Sequence, residues 1–244
     1  MPEPLTRTIR MVSSHCDRFQ RLRMSALFSI LQEMSIADVE GAGVTRDRTL
    51  DRGLLWVISR MRIVMERPIL YDEEVQFSTW AGERAHMVFP RYYEGRDSEN
   101  RLLFQGSSLW LLIDEKKRTF ISPQDYGIEV PGIPEKTGIE LPMAIRKINS
   151  DRPASIRTAV YSDIDLNGHV NNTRYLDWMD DLFDVHFHEV YAVKTIQINY
   201  EHEVEYGTSV SLFYEYSDQI YRIDGKTPSR DAFHARLEVT RINA

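Results

Sequence analysis

Apolar residues recur along this chain at two spacings, every second position and every third or fourth, and the order of the two spacings occurs twice. Leu5 to Ser13 reads as a short strand, with Ile9, Met11 and Ser13 on alternate positions. After a basic turn, Met24 to Val39 places Ala26, Leu27, Ile30, Leu31 and Met34 on one helical face, and Gly41 and Gly43 stop it. Leu54–Arg67, Glu74–Ala81, Met87–Arg96 and Leu102–Asp114 then read as strands separated by charged turns. From Ser122 to Asp151 the pattern fades. Pro123, Pro131, Pro134 and Pro142, with Gly127, Gly132 and Gly138, predict a connector lying along the surface. Beyond it the order resumes with a strand over Ile156–Tyr161. A helix follows with Tyr175, Leu176, Met179, Leu182 and Phe183 on one face. The strands Tyr191–Glu203, Val210–Tyr216, Gln219–Ile223 and Ala232–Ile242 complete the set.

Individual residues repeat as well. At an offset of 135 (198 minus 63), Ile63 matches Ile198, Glu66 matches Glu201, Tyr71 matches Tyr206 and Val75 matches Val210. The helices align at 145 (176 minus 31), pairing Leu31 with Leu176 and Met34 with Met179. Two halves with one order of elements point to duplication. The expected division is a unit over 1–130, a linker over 131–152 and a second unit over 153–244. On these offsets His169 faces Met24, Asn167 faces Leu22, Asp165 faces Gln20 and Glu203 faces Pro68. The first half is therefore expected to hold no acid–base group and to supply apolar lining.

Composition narrows the class. With 244 residues and 42% apolar content, the chain can bury a sizeable core. A net charge of -7 argues against non-specific binding to nucleic acid. No segment approaches the length of apolar sequence that a membrane span needs. One cysteine, Cys16, excludes an internal disulfide and fits a reducing compartment. The start resembles neither a signal nor a transit peptide, so a cytoplasmic location is expected.

The densest polar cluster is Tyr161 to Met179, YSDIDLNGHVNNTRYLDWM. Asp163, Asp165, Asn167 and His169 alternate with Ile164, Leu166, Gly168 and Val170, so a polar face leads straight into the second helix. Asn171 and Asn172 are its N-cap candidates. Asp163 reads as a turn residue, and His202 should point away from Glu203. His186 and His188 lie among Asp180, Asp181 and Asp184 at no known ligand spacing, so neither a metal nor another cofactor is expected.

With SDIDLNGHVNNTRYLDWM and, downstream, IQINYEHEVEYG, the chain resembles the acyl-acyl carrier protein thioesterases of plants and bacteria. The likeness extends to RMSALFSILQEMSIADVEGAGVT and LLWVISRMRIVMERP in the first half. It implies an α+β double hotdog, two tandem domains each with a curved antiparallel sheet wrapped around a long helix. It implies hydrolysis of fatty acyl-acyl carrier protein to free fatty acid, which terminates chain elongation. By position, the family's catalytic groups look like Asp165, Asn167, His169 and Glu203. Many plant members have a cysteine after that glutamate; here it is Val204, which excludes a cysteine nucleophile at that position. The missing transit peptide suggests a bacterial-type member.

For such a reaction Asp165 and Glu203 are base or nucleophile, His169 carries the proton and Asn167 orients them. Two routes stay open: water activated on the Glu203–His169 side, or direct attack by Asp165. An amide near Val170 or Asn171 is the expected oxyanion donor. Leu27, Ile30, Leu31 and Trp56 are core residues that, on the resemblance, also line an acyl tunnel, with Asn171 near the reacting end. The implied partner is acyl carrier protein bearing a phosphopantetheine-linked acyl chain. An acidic partner needs a local basic face, for which Arg18, Arg21, Arg23, Arg146 and Lys147 are candidates. Pairing into a homodimer is left open. The competing readings are an acyl-CoA thioesterase, an enoyl-thioester hydratase and a non-catalytic acyl-binding regulator. The hydratase motif carries a proline where Gly168 stands, and the regulator would append a basic DNA-binding extension.

Overall fold

The alternating segments form strands that pair only with antiparallel neighbours. The computed structural model describes residues 3–133 and 138–242; Pro134 of the expected connector lies outside them. In the first half, β1 (Leu5–Arg10) precedes α1 (Met24–Gly41), followed by β2 (Leu54–Met65), β3 (Glu74–Ala81), β4 (Val88–Arg96) and β5 (Leu102–Asp114). In the second, β6 (Ser155–Thr158) precedes α2 (Arg174–Asp180) and α3 (Val185–Val190). The strands β7 (Tyr191–Tyr200), β8 (Ser209–Ser217), β9 (Ile220–Lys226) and β10 (Asp231–Arg241) follow. The sheet order is β1-β3-β4-β5-β2-β7-β10-β9-β8-β6. Read outward from the centre, each half has the same order, and β2 pairs with β7 from Arg60↔Asn199 to Val64↔Thr195. This is the double-hotdog arrangement, fused into one sheet.

The repeat reaches side-chain packing. A Cβ on Gly95 would stand 2.0 Å from the Phe104 ring, and one on Gly225 would stand 2.2 Å from that of Phe233. Each glycine leaves room for an aromatic ring of the neighbouring strand.

One sheet face packs on the helices. Leu27, Phe28, Leu31 and Met34 of α1 share a core with Ile63, Phe77, Tyr93 and Phe104, and Tyr175, Leu176 and Met179 of α2 share it with Ile198 and Phe233. The alternate residues of β7 face the other way and meet the connector. Gln197 and Asn199 both donate to the Met143 carbonyl, at 2.6 and 3.3 Å. Ser107 donates to the Glu140 carbonyl at 2.6 Å, and the Ile148 amide donates to Asp224 at 2.9 Å. The connector thus satisfies polar groups that a strand's alternation places on the outer face.

The second helix differs from expectation. The apolar stripe from Tyr175 to Phe183 is not one helix: α2 ends at Asp180, Leu182 and Phe183 lie in a turn, and α3 starts afresh. Asp184 is the cause, because its side chain accepts the Phe187 amide at 2.8 Å and caps a new helix. Thr173 rather than Asn171 or Asn172 occupies the cap position of α2. Asn171 acts one step earlier, its Oδ1 accepting the amide and hydroxyl of Thr173 at 2.9 and 2.8 Å.

Candidate active site

The polar stretch before α2 folds into a small self-bonded loop. Asp163, nearly fully buried, accepts the Val160 amide and the Arg174 Nε, each at 3.0 Å, and its carbonyl accepts the Asn171 amide at 2.8 Å. Those bonds pin both ends. Between them Asp165 makes the turn: its amide donates to the His169 carbonyl at 2.8 Å, and its carbonyl accepts the Gly168 amide at 3.0 Å. The Asp165 carboxylate takes the Asn167 amide at 2.8 Å, a local bond that short acidic side chains favour. Gly168 has φ 83, the left-handed region where a residue without Cβ is unstrained.

The loop is then stitched to the segment after β7. The Val170 amide donates to the Val204 carbonyl at 2.8 Å, and His169 pairs opposite Glu205. That register sets His169 Nε2 3.4 Å from Glu203 Oε2. Two cations reach the same residue, one at its carboxylate and one at its backbone carbonyl. Arg118, from the turn after β5, ion-pairs with Glu203 Oε2, and Arg230 donates to the Glu203 carbonyl at 3.3 Å. His169 is held below the usual imidazole range, first by burial and then by the Arg118 charge, against the opposing pull of Asp165 and Glu205. The Tyr175 hydroxyl is pushed up by burial and by the nearby Asp165 carboxylate.

Leu166, between Asp165 and Asn167, is exposed and stands at the rim of a cavity of about 250 Å³. The walls come from the first half: Ile36 and Val39 of α1, Trp56 of β2, Phe89 of β4, Trp110 of β5, and Val130. Trp56 and Phe89 meet edge to face at 4.8 Å. The lining is mainly apolar, with Arg91 held at one side by Asp38 at 2.7 Å.

The chain matches the N-terminal domain family of acyl-ACP thioesterases over residues 5–126 and the C-terminal domain family over residues 149–241. It belongs to the acyl-ACP thioesterase family. Among curated relatives, a chloroplastic palmitoyl-acyl carrier protein thioesterase of Cuphea hookeriana is 27% identical over 167 residues, covering 61% of this chain and 39% of its own length. A dodecanoyl-[acyl-carrier-protein] hydrolase of Cinnamomum camphora is 23% identical, covering 73% of this chain and 50% of its own. The chain thus spans half or less of these relatives. In solved structures, an acyl-ACP thioesterase from Bacteroides thetaiotaomicron superposes with TM-score 0.86 at 24% identity, over 97% of this chain and 98% of that one. The 12:0-ACP thioesterase from Umbellularia californica gives 0.83 at 18%, over 98% of each. These likenesses carry the fold.

In this acyl-ACP thioesterase family member, Val204 is buried and its carbonyl anchors the His169 loop. Other sequence expectations land elsewhere. Leu27 and Leu31 are fully buried in the core, and Ile30 packs on it; of the four tunnel candidates, Trp56 is the one in the cavity wall, which lies nearer the C-terminus of α1. The Val170 and Asn171 amides are both committed, to Val204 and Asp163, and so are not oxyanion donors in this arrangement. Of the basic candidates, Arg21 is tied to Asp17 and to the carbonyls of His188 and Tyr191. Arg23 is tied to the carbonyls of Cys16 and Ser14, and Lys147 to Asp231. Arg18 and Arg146 are exposed. His202 does point elsewhere, bonding the Asp231 carbonyl at 2.9 Å.

The largest correction concerns the first half. Its loop before α1 repeats the bonds of the candidate site: the Asp17 amide to the Arg21 carbonyl at 2.8 Å, the Gln20 amide to the Asp17 carbonyl at 3.0 Å, and the Phe19 amide to Asp17 Oδ1 at 2.8 Å. The bridges Cys16↔Leu22 and Arg21↔Leu70 mirror Ile164↔Val170 and His169↔Glu205. The loop offset is therefore 148 (165 minus 17), not the 145 that aligns the helices. Asp17 keeps the position of Asp165, Phe19 replaces Asn167 and Arg21 replaces His169. An acid persists there, contrary to the sequence alignment.

Proposed function

We propose that this chain hydrolyses the thioester of fatty acyl-acyl carrier protein, releases free fatty acid and so ends chain elongation in the cytoplasm. The observation that carries this reading is the close pair His169 and Glu203 beside a loop whose Leu166 rims an apolar cavity. Family membership supports the same reaction class. In the proposed division of labour, residues 1–130 wall the acyl chain, 131–152 link the halves, and 153–244 carry Asp165, Asn167, His169 and Glu203. Among the described residues no helix is long and apolar enough to cross a membrane.

A water beside the His169–Glu203 pair attacks the carbonyl carbon while its proton passes to His169 Nε2. The tetrahedral intermediate collapses, the carbon–sulfur bond breaks and the leaving thiolate takes the proton from His169. Lowered basicity suits His169 to this role, since the imidazole is neutral and able to accept at neutral pH. Asp165, turned by its bond to the Asn167 amide, orients the group or attacks in its own right. The Asn167 side-chain amide makes no hydrogen bond among the described residues and is free to donate to the carbonyl oxygen. The test is steady-state hydrolysis of one medium and one long acyl chain, each on acyl carrier protein and on CoA. Preference for the carrier protein is the expected result. Preference for CoA reassigns the carrier, and no hydrolysis of any of the four defeats the reading.

A further inference from the structure

We propose that Arg118, on the turn after β5 in the first half, is a positioning residue that fixes Glu203 beside His169 and makes His169 the proton acceptor. This rests on the hydrolase reading above and deepens it, because neither the motif nor the repeat assigns a charged group of the first half to the site. The turn itself is built to present that side chain. The amides of Lys116 and Lys117 donate to Asp114 Oδ1 at 3.0 and 2.8 Å, and the Arg118 amide donates to the Asp114 carbonyl at 2.9 Å. Arg118 sits at φ 54, a left-handed conformation unfavourable for a residue with a long side chain. Surrounding bonds hold that strained backbone in place.

The guanidinium meets Glu203 at Oε2, the oxygen that faces His169 Nε2 at 3.4 Å. A carboxylate paired to a guanidinium is a weaker base, and an imidazole near that cation is easier to keep neutral. The first effect weakens the acid as a base, and the second keeps the ring in the neutral form that can accept a proton. The groups facing His169 are Arg118 from the β5 turn, Arg230 from the β9–β10 turn, Asp165 of its own loop, and Glu203 and Glu205 after β7. Of the two cations, Arg118 exerts the larger influence on His169. The loop of one half therefore works on a field supplied by the other.

The experiment compares the wild-type chain with Arg118→Gln, Arg118→Lys and Lys117→Gln. The readouts are the His169 titration, followed by NMR of the ring nitrogens, and the pH profile of kcat/KM on acyl carrier protein substrate. Arg118→Gln should raise the His169 midpoint by about one pH unit and carry the acidic limb of kcat/KM upward with it. It should lower kcat about tenfold to hundredfold with little change in KM. Arg118→Lys keeps the charge and should leave the midpoint near wild type. Lys117→Gln removes a neighbouring charge that does not touch Glu203 and should move neither readout. A His169 titration unchanged by Arg118→Gln, or moved equally by Lys117→Gln, overturns the proposal. Should Arg118→Gln fail to melt cooperatively, Arg118→Met keeps the aliphatic stem and carries the same test. If the wild-type chain cleaves no thioester, the hydrolase reading fails, while the NMR titration still decides the Arg118–His169 coupling.

Discussion

The loop that enters α1 and the loop that enters α2 share a backbone and differ in side chains. Each opens with a single 3₁₀ turn, turns about an aspartate that bonds its own loop, and is bridged to the segment leaving β2 or β7. At the second loop the side chains are His169, Asn167 and a facing Glu203, and the neighbouring cavity is mainly apolar. At the first they are Arg21, Phe19 and Pro68. The space beside that loop, a second cavity of about 220 Å³, is also mainly apolar, with Phe19, Met24, Met65 and Val193 in its lining, but Asp17, Arg21 and Asp180 reach it too. In one copy the histidine position holds a group that can exchange a proton. In the other, Arg21 spends its donors on Asp17 and two carbonyls across the half-to-half boundary. One backbone thus carries the proposed chemistry in one half and cohesion in the other.

The sharpest way to break this comparison is to remove the titrating groups. His169→Ala should lower kcat by about 10²–10⁴ with an unchanged melting profile, whereas Arg21→Ala should leave kcat within a few-fold. Equal losses in steady-state assays would mean that the two loops do not divide their roles.

The next effect is on substrate choice. Val39→Trp fills the cavity between α1 and the sheet and should cut kcat/KM on the longest chain about tenfold to hundredfold relative to a shorter one. Leu27→Trp enters a fully buried core position and should instead cost about 1–3 kcal/mol of stability, read from a urea midpoint. A product profile that follows Leu27 and ignores Val39 would move the acyl site deeper into the core.

Arg21→Ala itself should cost about 2–3 kcal/mol, because it removes the donor to two carbonyls and to Asp17 Oδ2. Denaturant unfolding measures this, and a change within error would make the first loop an idle copy.

An effect confined to part of the pH range lies at the second cavity. Asp180 is pushed up to about 7 by burial and then by the charges of Asp177, Asp181 and Asp17. Its proton is held more tightly in the folded state. Its contribution is therefore greatest below the unfolded value near pH 4 and is lost as pH rises through about 7. Asp180→Asn should melt higher than wild type at pH 8, with the gain gone below pH 4. A gain that persists at low pH would point to packing in place of charge.

The element order was legible because strand and helix periods differ and every strand segment kept its own. Glu74–Ala81 and Leu102–Asp114 have the bounds that alternation predicts. The second helix was misread because a nine-residue apolar stripe outweighed one capping aspartate, Asp184. The repeat was legible, but its register in the loops was not. Helix residues match on hydrophobicity, which tolerates a slip of about one turn, while the loops match on backbone hydrogen bonds, which leave no compositional trace in Arg21 or Phe19.

Within the candidate site, the local run Asp165, Asn167 and His169 is visible because its residues are neighbours in the chain. The family motif also places Glu203 at a known distance. Arg118 and Arg230 carry no such signal, since each is an ordinary basic turn residue until another half or hairpin brings it to Glu203. The amino-acid sequence by itself determined the strands, the duplication, the polar loop and its family. Only the tertiary structure decided which cations surround the acid, which helix face walls the cavity and which arginines are committed to backbone carbonyls. The reason is physical: periodicity and local turns act over a few residues, whereas charge pairing and cavity shape depend on groups separated along the chain and joined only when β2 meets β7.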